Sequence, residues 1–247
     1  MKLFALLLFI SSFLNAGSIN IAVAANVSYA IPELTAVFTK THPDIDVKII
    51  LGSSGKLTAQ ISHGAPYGIF LSANMLYPQS LYEKKIATTK PKVYAKGQLA
   101  YLSHKSRDFS LGLELLKQKN ISKIAIANPK TAPYGKATKE AMINAGVYNA
   151  VKAKLIYGES ISQTLFFTSK AADIGIIAKS ALFSKKMAQY KEDVHWKTLD
   201  SSLYTPIEQG IVLLKYADNN KDYKLFYEFI LSKEAKNIFI KYGYTFS

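Results

Sequence analysis

The sequence predicts an α/β protein of two lobes with a cleft between them. Three observations predict it. Short apolar runs of strand length alternate along the chain with runs of helical apolar period. The alternation comes in two successive sets, which favours two lobes over one long sheet. Three of the apolar runs also end in small, polar, uncharged turns that open a helix. These are Ile19–Ala24 into Ala25-Asn26-Val27-Ser28, Val47–Leu51 into Gly52-Ser53-Ser54-Gly55, and Ile124–Ala127 into Asn128-Pro129 and then Ala132-Pro133-Tyr134-Gly135. Ligands of such sheets bind beyond the carboxyl ends of the strands, so the turns are expected to face one cleft.

The elements follow in order. Ile19–Ala24 reads as a strand. Ser28–Thr41 reads as a helix with Ile31, Leu34, Val37 and Phe38 on one stripe. Pro32 falls in its first turn, where proline is tolerated. Val47–Leu51 is a strand. Gly55–Ser62 is a short helix, with Leu57 and Ile61 one turn apart and Gly64 after it. A strand at Gly68–Ser72, a helix at Tyr77–Lys84, a strand at Gly97–Ser103 and a helix at Leu111–Gln118 complete the first set. The second set has strand 123–127, helix 135–145, strand 154–157, helix 162–169, strand 174–177 and helix 179–190. A late strand at Gly210–Leu214 and closing helices at Tyr223–Leu231 and Lys233–Tyr242 end the chain. The pattern places lobe 1 at residues 17–96 plus 207–247 and lobe 2 at 97–206.

Composition narrows the classes. The 247 residues are 49% hydrophobic, enough for a substantial core. Residues 1–16 read as a signal peptide: Lys2, an apolar run from Leu3 to Phe13, and Leu14-Asn15-Ala16 before Gly17. The apolar run is shorter than the roughly 20 residues of a membrane span. Export to the periplasm with cleavage near Ala16 is expected. The chain has no cysteine, which excludes disulfides, thiolate metal sites and a cysteine lipid anchor. The net charge is +14, or +13 without Lys2, and Arg107 is the only arginine. Scattered lysines without arginine suit a solvated surface rather than nucleic-acid readout, and no nucleic-acid partner is expected.

The turns themselves carry chemistry. A helix begins with backbone N–H groups that have no intrahelical acceptor, and its dipole favours negative charge there. Several such ends around one point form an anion site without a charged side chain. Taken singly, Asn26 and Ser28 are also ordinary helix caps. Gly52-Ser53-Ser54-Gly55-Lys56 is near a P-loop, but Ile50 stands at the first required glycine and Leu57 at the final Ser/Thr. Lys56 then reads as a solvated helix residue. His42, His63, His104 and His195 have no metal-ligand spacing. Neither Ser53 nor Ser54 sits in a G-x-S-x-G motif. Glu159 and Asp173 are carboxylates that no pattern ties together.

With these motifs in place, the chain resembles the periplasmic molybdate-binding proteins of ABC importers. The matching stretches are Ala24-Ala25-Asn26, Leu51-Gly52-Ser53-Ser54-Gly55-Lys56-Leu57, Gly64-Ala65-Pro66, Ile126-Ala127-Asn128-Pro129, Ala132-Pro133-Tyr134-Gly135, Gly158-Glu159 and Tyr242-Gly243-Tyr244. They keep the family's order over nearly the whole mature chain. The resemblance implies the two-lobed periplasmic binding protein fold of type II, each lobe a mixed sheet flanked by helices. It implies a monomer that delivers molybdate or tungstate to a membrane permease, with no cofactor and no catalysis. It places the oxyanion on Asn26 and Ser54 in lobe 1, and on the backbone N–H groups of Tyr134 and Ile161 in lobe 2. Ala25 stands where one branch carries a further hydroxyl. The metal is held by these same residues as its oxyanion. Many members carry a tyrosine hydroxyl where this chain has Ala178, so that contact is lost here, and the Tyr134 hydroxyl is the candidate replacement. Family members also often carry aspartates where Gly68 and Asn74 stand.

An oxyanion without protons accepts hydrogen bonds only, so an all-donor, carboxylate-free lining suits it. Two alternatives share the pattern: a receptor for another small anion, sulfate-like or a carboxylate, and an exported enzyme on the same scaffold. The second requires an acid or base in the cleft, and the three turns offer none.

Overall fold

The computed structural model describes residues 17–246. The signal peptide expected at residues 1–16 lies outside the described residues. In chain order, β1 (Gly17–Ala24) runs into a 3-10 turn, Ala25–Tyr29, and then α1 (Ile31–Thr41). β2 (Ile45–Gly52) leads into α2 (Ser54–Ser62), and β3 (Ile69–Leu71) into α3 (Leu76–Glu83). β4 (Lys92–Gly97) and β5 (Leu99–Leu102) follow, then the 3-10 segment Phe109–Lys117. β6 (Ile124–Ala127) precedes α4 (Pro133–Asn144) and the short α5 (Tyr148–Val151). β7 (Leu155–Gly158) leads into α6 (Ile161–Lys170), and β8 (Ile174–Ala178) into two 3-10 turns, Lys179–Phe183 and Lys185–Met187. β9 (Trp196–Thr198), β10 (Ile207–Leu213), α7 (Lys221–Ile230) and α8 (Lys233–Lys241) complete the chain.

Two five-stranded sheets result, ordered β2-β1-β3-β10-β4 and β7-β6-β8-β5-β9. Both are mixed and have the same plan. β1 is parallel to β2 and β3, while β10 is antiparallel to β3 and β4. β6 is parallel to β7 and β8, while β5 is antiparallel to β8 and β9. The parallel strands are near-continuous apolar runs because helices cover both faces. In β6 and β8 every residue is buried. The chain leaves the first sheet through Gly97-Gln98 and returns through the segment before Ile207, so two backbone passes join the lobes.

In α1, Ile31, Leu34 and Phe38 are buried as the i, i+3, i+7 spacing requires. Phe38 meets Phe226 of α7 edge-on, with ring centroids 5.0 Å apart. One apolar cluster is shared by the lobes: Ala24, Ala25 and Ala73 of the first pack with Tyr134, Ile161 and Ile126 of the second. The lobes are therefore closed upon one another.

Four expected elements differ in the structure, and β4, α5 and β9 are not expected from the sequence. The expected helix Ser28–Thr41 is a 3-10 turn and a separate α-helix, joined at Ala30. The expected strand Gly97–Ser103 is the end of β4 and all of β5, because the sheets change at Gln98. The helix expected at Leu111–Gln118 is 3-10 and is kinked at Gly112, where φ is 55°. The helix expected at 179–190 is two 3-10 turns, since Ser184 is extended at ψ 148°.

Candidate functional site

The carboxyl ends of the parallel strands lie side by side, as register dictates. Ala24 pairs with Gly52 in one sheet, and Ala127 with Gly158 in the other. The turns after them close a cavity of ≈ 10 Å³ between the lobes. Lobe 1 lines it with Ala24, Ala25, Asn26, Ser53, Ser54 and Ala73, and lobe 2 with Ala132, Pro133, Tyr134 and Ile161. All five residues singled out by the sequence, Ala25, Asn26, Ser54, Tyr134 and Ile161, thus come together at one point. The cavity has room for about one water molecule, far below the roughly 300–1,000 Å³ of drug-sized sites, so the turns meet closely and a polyatomic ligand enters only if they part. A wider groove on lobe 2, lined by Asn128, Pro129, Lys136, Lys139, Tyr148 and Tyr157, borders the start of the third turn but shares no lining residue with the small cavity. Size points to that groove, but the converging donors belong to the small cavity.

Each donor has a local cause. Ser54 is the first residue of α2, Tyr134 the second of α4, and Ile161 the first of α6. Their N–H groups precede any intrahelical acceptor, and no other backbone acceptor takes them among the described residues. Pro133 at the first helical position suits the fixed proline φ. Gly135 follows because a Cβ there would overlap the Ala127 carbonyl at the end of β6. That close approach sets α4 down on the strand end. Ser160 caps α6 by accepting from Gln163 N–H at 3.3 Å.

The side chains divide by their partners. The Ser54 hydroxyl accepts from Ala73 N–H at 2.9 Å, which leaves its proton free to donate. The Ser53 hydroxyl and Asn26 Oδ1 are buried without any partner. Asn26 Nδ2 donates to Gln209 Oε1 at 2.7 Å and to the Tyr244 hydroxyl at 3.0 Å. The Asn26 carbonyl accepts from Ser180 Oγ of lobe 2 at 2.9 Å and from the Tyr244 hydroxyl at 2.8 Å. The Ala25 carbonyl accepts from Ser162 Oγ of α6 at 3.0 Å. The first turn is thus fastened to lobe 2 by two serines.

The Tyr134 hydroxyl is already engaged: it accepts from Gln209 Nε2 at 3.1 Å, beside Gly97, where a Cβ would overlap it. Burial first, and then the neighbouring Tyr244 and Tyr94, hold the Tyr134 hydroxyl well above its ordinary value near 10, so it stays protonated. Tyr244 is raised in the same direction by burial.

The rim adds contacts between the lobes. Lys56 is exposed, as expected, and its Nζ lies 2.8 Å from Glu159 Oε1 across the cleft. Gly55 N–H donates to the Thr131 carbonyl at 2.9 Å, again between lobes. Asp173 is elsewhere, accepting from Ser122 and Lys123 N–H at 2.8 and 3.0 Å. Glu159 and Asp173 therefore form no pair. No carboxylate, imidazole or ammonium lines the cavity. No group of three or more metal-ligating side chains is found among the described residues. Sequence reasoning missed Ser53 as a separate donor, and missed Gln209 altogether.

Comparison with known proteins agrees with this architecture. Residues 19–245 match the family model described as bacterial extracellular solute-binding protein. The chain is 35% identical to the molybdate-binding protein ModA of Rhodobacter capsulatus, over 93% of this chain and 89% of that one. The periplasmic molybdate-binding protein of Azotobacter vinelandii superposes with a TM-score of 0.85 at 27% identity, covering 93% of this chain and 99% of that structure. The sulfate-binding protein SubI of Mycobacterium tuberculosis H37Rv shares the fold, with a TM-score of 0.76 at 11% identity, over 92% of this chain and 86% of that one. With two mixed sheets around a small donor-lined cavity, and a family match over almost all of the described residues, the chain belongs to the bacterial extracellular solute-binding proteins.

Proposed function

We propose that this protein captures molybdate or tungstate outside the cytoplasmic membrane and delivers it to the permease of an ABC importer. It acts as a monomer, exported by the signal peptide that ends near Ala16. The observation that carries this reading is the lining of the small cavity: buried hydroxyls and three helix N-termini, with no acidic group. The molybdate-binding relatives support the choice of oxyanion. The ligand is held by Asn26 and Ser54 from lobe 1, by the backbone N–H groups of Tyr134 and Ile161 from lobe 2, and at the wall formed by Ala25. Ser53 adds a further hydroxyl. Each hydrogen bond to the charged ligand contributes roughly 1.5–3 kcal/mol.

Closure of the lobes completes the cage and removes water, and binding selects the closed arrangement. Selectivity follows from the size of the closed cage, which separates molybdate and tungstate from the smaller sulfate, and from lining chemistry. A protonated phosphate needs an acceptor, and the wall has no carboxylate for it. Titration calorimetry with molybdate, tungstate, sulfate and phosphate tests the reading. Molybdate and tungstate are expected to bind far more tightly than the other two. Tighter binding of sulfate or phosphate, or of no oxyanion, refutes it.

A further inference from the structure

Gln209 is fully buried in β10, at the point where register with β4 shifts between Gln209 and Gly210. Such bulges re-aim a side chain. Here the amide of Gln209 joins three elements. Its Oε1 accepts from Asn26 Nδ2 at 2.7 Å and from the Tyr94 hydroxyl of β4 at 2.8 Å, and its Nε2 donates to the Tyr134 hydroxyl of α4 at 3.1 Å. Both hydrogens of the Asn26 amide are thereby committed to Gln209 and Tyr244, and the arm left over is Oδ1, buried and unpaired. That arm is an acceptor, the wrong polarity for an oxyanion.

Turning the Asn26 amide by itself would set its Oδ1 against Gln209 Oε1, acceptor on acceptor. Turning both amides keeps every contact but one: the single Tyr244 proton leaves the Asn26 carbonyl for Asn26 Oδ1, and the carbonyl keeps Ser180 Oγ as its donor. Gln209 Nε2 then donates to Asn26 Oδ1 and to the Tyr94 hydroxyl. The Tyr94 proton has its own acceptor in the Ser72 carbonyl, 3.3 Å away. The Tyr134 hydroxyl donates to Gln209 Oε1 instead of accepting from Nε2. The network is therefore satisfied in two opposite polarities, and only the second offers Asn26 Nδ2 as a free donor.

We propose that Gln209 is a positioning residue of the oxyanion site: it and Asn26 reverse their amides together, so that the ligand meets Asn26 Nδ2, and Tyr134 ties this polarity to the seating of lobe 2. The inference rests on the oxyanion reading above. Because Gln209 does not line the cavity, its contribution lies in choosing which arm of Asn26 the cavity meets.

Neutron diffraction from deuterated crystals of the mature protein, with molybdate as the probe, reads the polarity directly. Deuterons on Asn26 Nδ2 are expected to point at the anion, and those on Gln209 Nε2 at Asn26 Oδ1. Molybdate seated with Asn26 Nδ2 still donating to Gln209 Oε1 overturns the proposal and leaves the oxyanion reading intact. Binding of no oxyanion removes both. In solution, molybdate should shift the side-chain amide signals of Asn26 and Gln209 in ¹⁵N spectra at the same point of the titration. A Gln209 signal that stays fixed refutes the coupling. Gln209→Met should weaken molybdate binding about tenfold or more, by removing the donor that holds Asn26 reversed. Unchanged affinity in a folded variant overturns the inference, and if that variant does not fold, the two measurements on the unaltered protein still decide.

Discussion

Replacing Ser53 by alanine separates a structural hydroxyl from a binding one, because the two readings predict opposite signs. Ser53 is 4% exposed, its hydroxyl has no partner, and it lines the cavity. It is also the N-cap of α2, but its side chain makes no capping bond. An ordinary N-cap serine contributes about 1 kcal/mol, so a capping role predicts that Ser53→Ala destabilises by that amount. An unpaired buried hydroxyl instead costs roughly 1–3 kcal/mol. Its removal should therefore stabilise the ligand-free protein, less the small loss of packing around one oxygen. With about 2–4 °C per kcal/mol for a chain of this size, the melting temperature should rise by about 1–5 °C. Binding moves the other way. Losing one hydrogen bond to a charged ligand costs roughly 1.5–3 kcal/mol, or about 10- to 150-fold in Kd. Thermal unfolding by circular dichroism without anion, and calorimetric titration with molybdate, measure the two. A fall in melting temperature with unchanged molybdate affinity refutes the reasoning and returns Ser53 to the role of a helix cap.

Ser54→Ala should weaken molybdate binding to a similar degree but lower stability by about 1–3 kcal/mol, since the Ala73 N–H loses its acceptor; an unaltered melting temperature contradicts this. Gly97→Ala drives a Cβ into the Tyr134 hydroxyl and the Gln209 amide. Overpacking of about 1–3 kcal/mol should lower the melting temperature by about 2–12 °C, and a neutral result in thermal unfolding would show that Tyr134 can move. Lys56→Ala removes an exposed pair worth about 0–1 kcal/mol, so molybdate affinity should drop less than about fivefold, and the difference should vanish in high salt. Affinity should stay flat between about pH 6 and pH 9, because the only titratable side chain in the lining, Tyr134, is held above its ordinary value by burial. Tyr94, Tyr134 and Tyr244 all have folded values raised by burial. Their contribution to stability is therefore full below about pH 10 and is lost as pH climbs past the unfolded value. A melting temperature that holds steady above that pH would count against it.

The strand–turn–helix units were legible because their signals are local. An apolar run of strand length, a small polar turn and a helical stripe each span a few residues, and register then brings Ala24, Gly52, Ala127 and Gly158 to adjacent strand ends. Asn26, Ser54, Tyr134 and Ile161 followed from those turns and from the family resemblance. β4 and β9 were not legible. The alternation in Lys92–Gly97 is weak, and Trp196–Thr198 is only three residues long. The helical period of residues 179–190 was misleading, because Ser180 reaches across the cleft to the Asn26 carbonyl and Ser184 extends the backbone. Lys56 is an exposed helix residue as expected, and only its ion partner, Glu159, far along the chain, was not legible.

By itself the sequence determined the alternation of elements, the two sets, the lack of charge in the turns and the family resemblance, since these depend on residues near one another or on ordered motifs. The tertiary structure decided which hydroxyl is already engaged and which is unpaired. Ser53 and Ser54 are neighbours of one type, and only the Ala73 N–H, supplied by the strand end beyond β3, distinguishes them. It also decided where the Tyr134 ring goes. The hydroxyl lies against Gly97 and Gln209, brought to it by two backbone passes from opposite ends of the chain. Hydrogen-bond polarity is a property of a closed network, and Asn26 and Gln209 are separated by 183 positions in sequence. No local pattern records such a pairing, so the orientation of the donors is a product of folding.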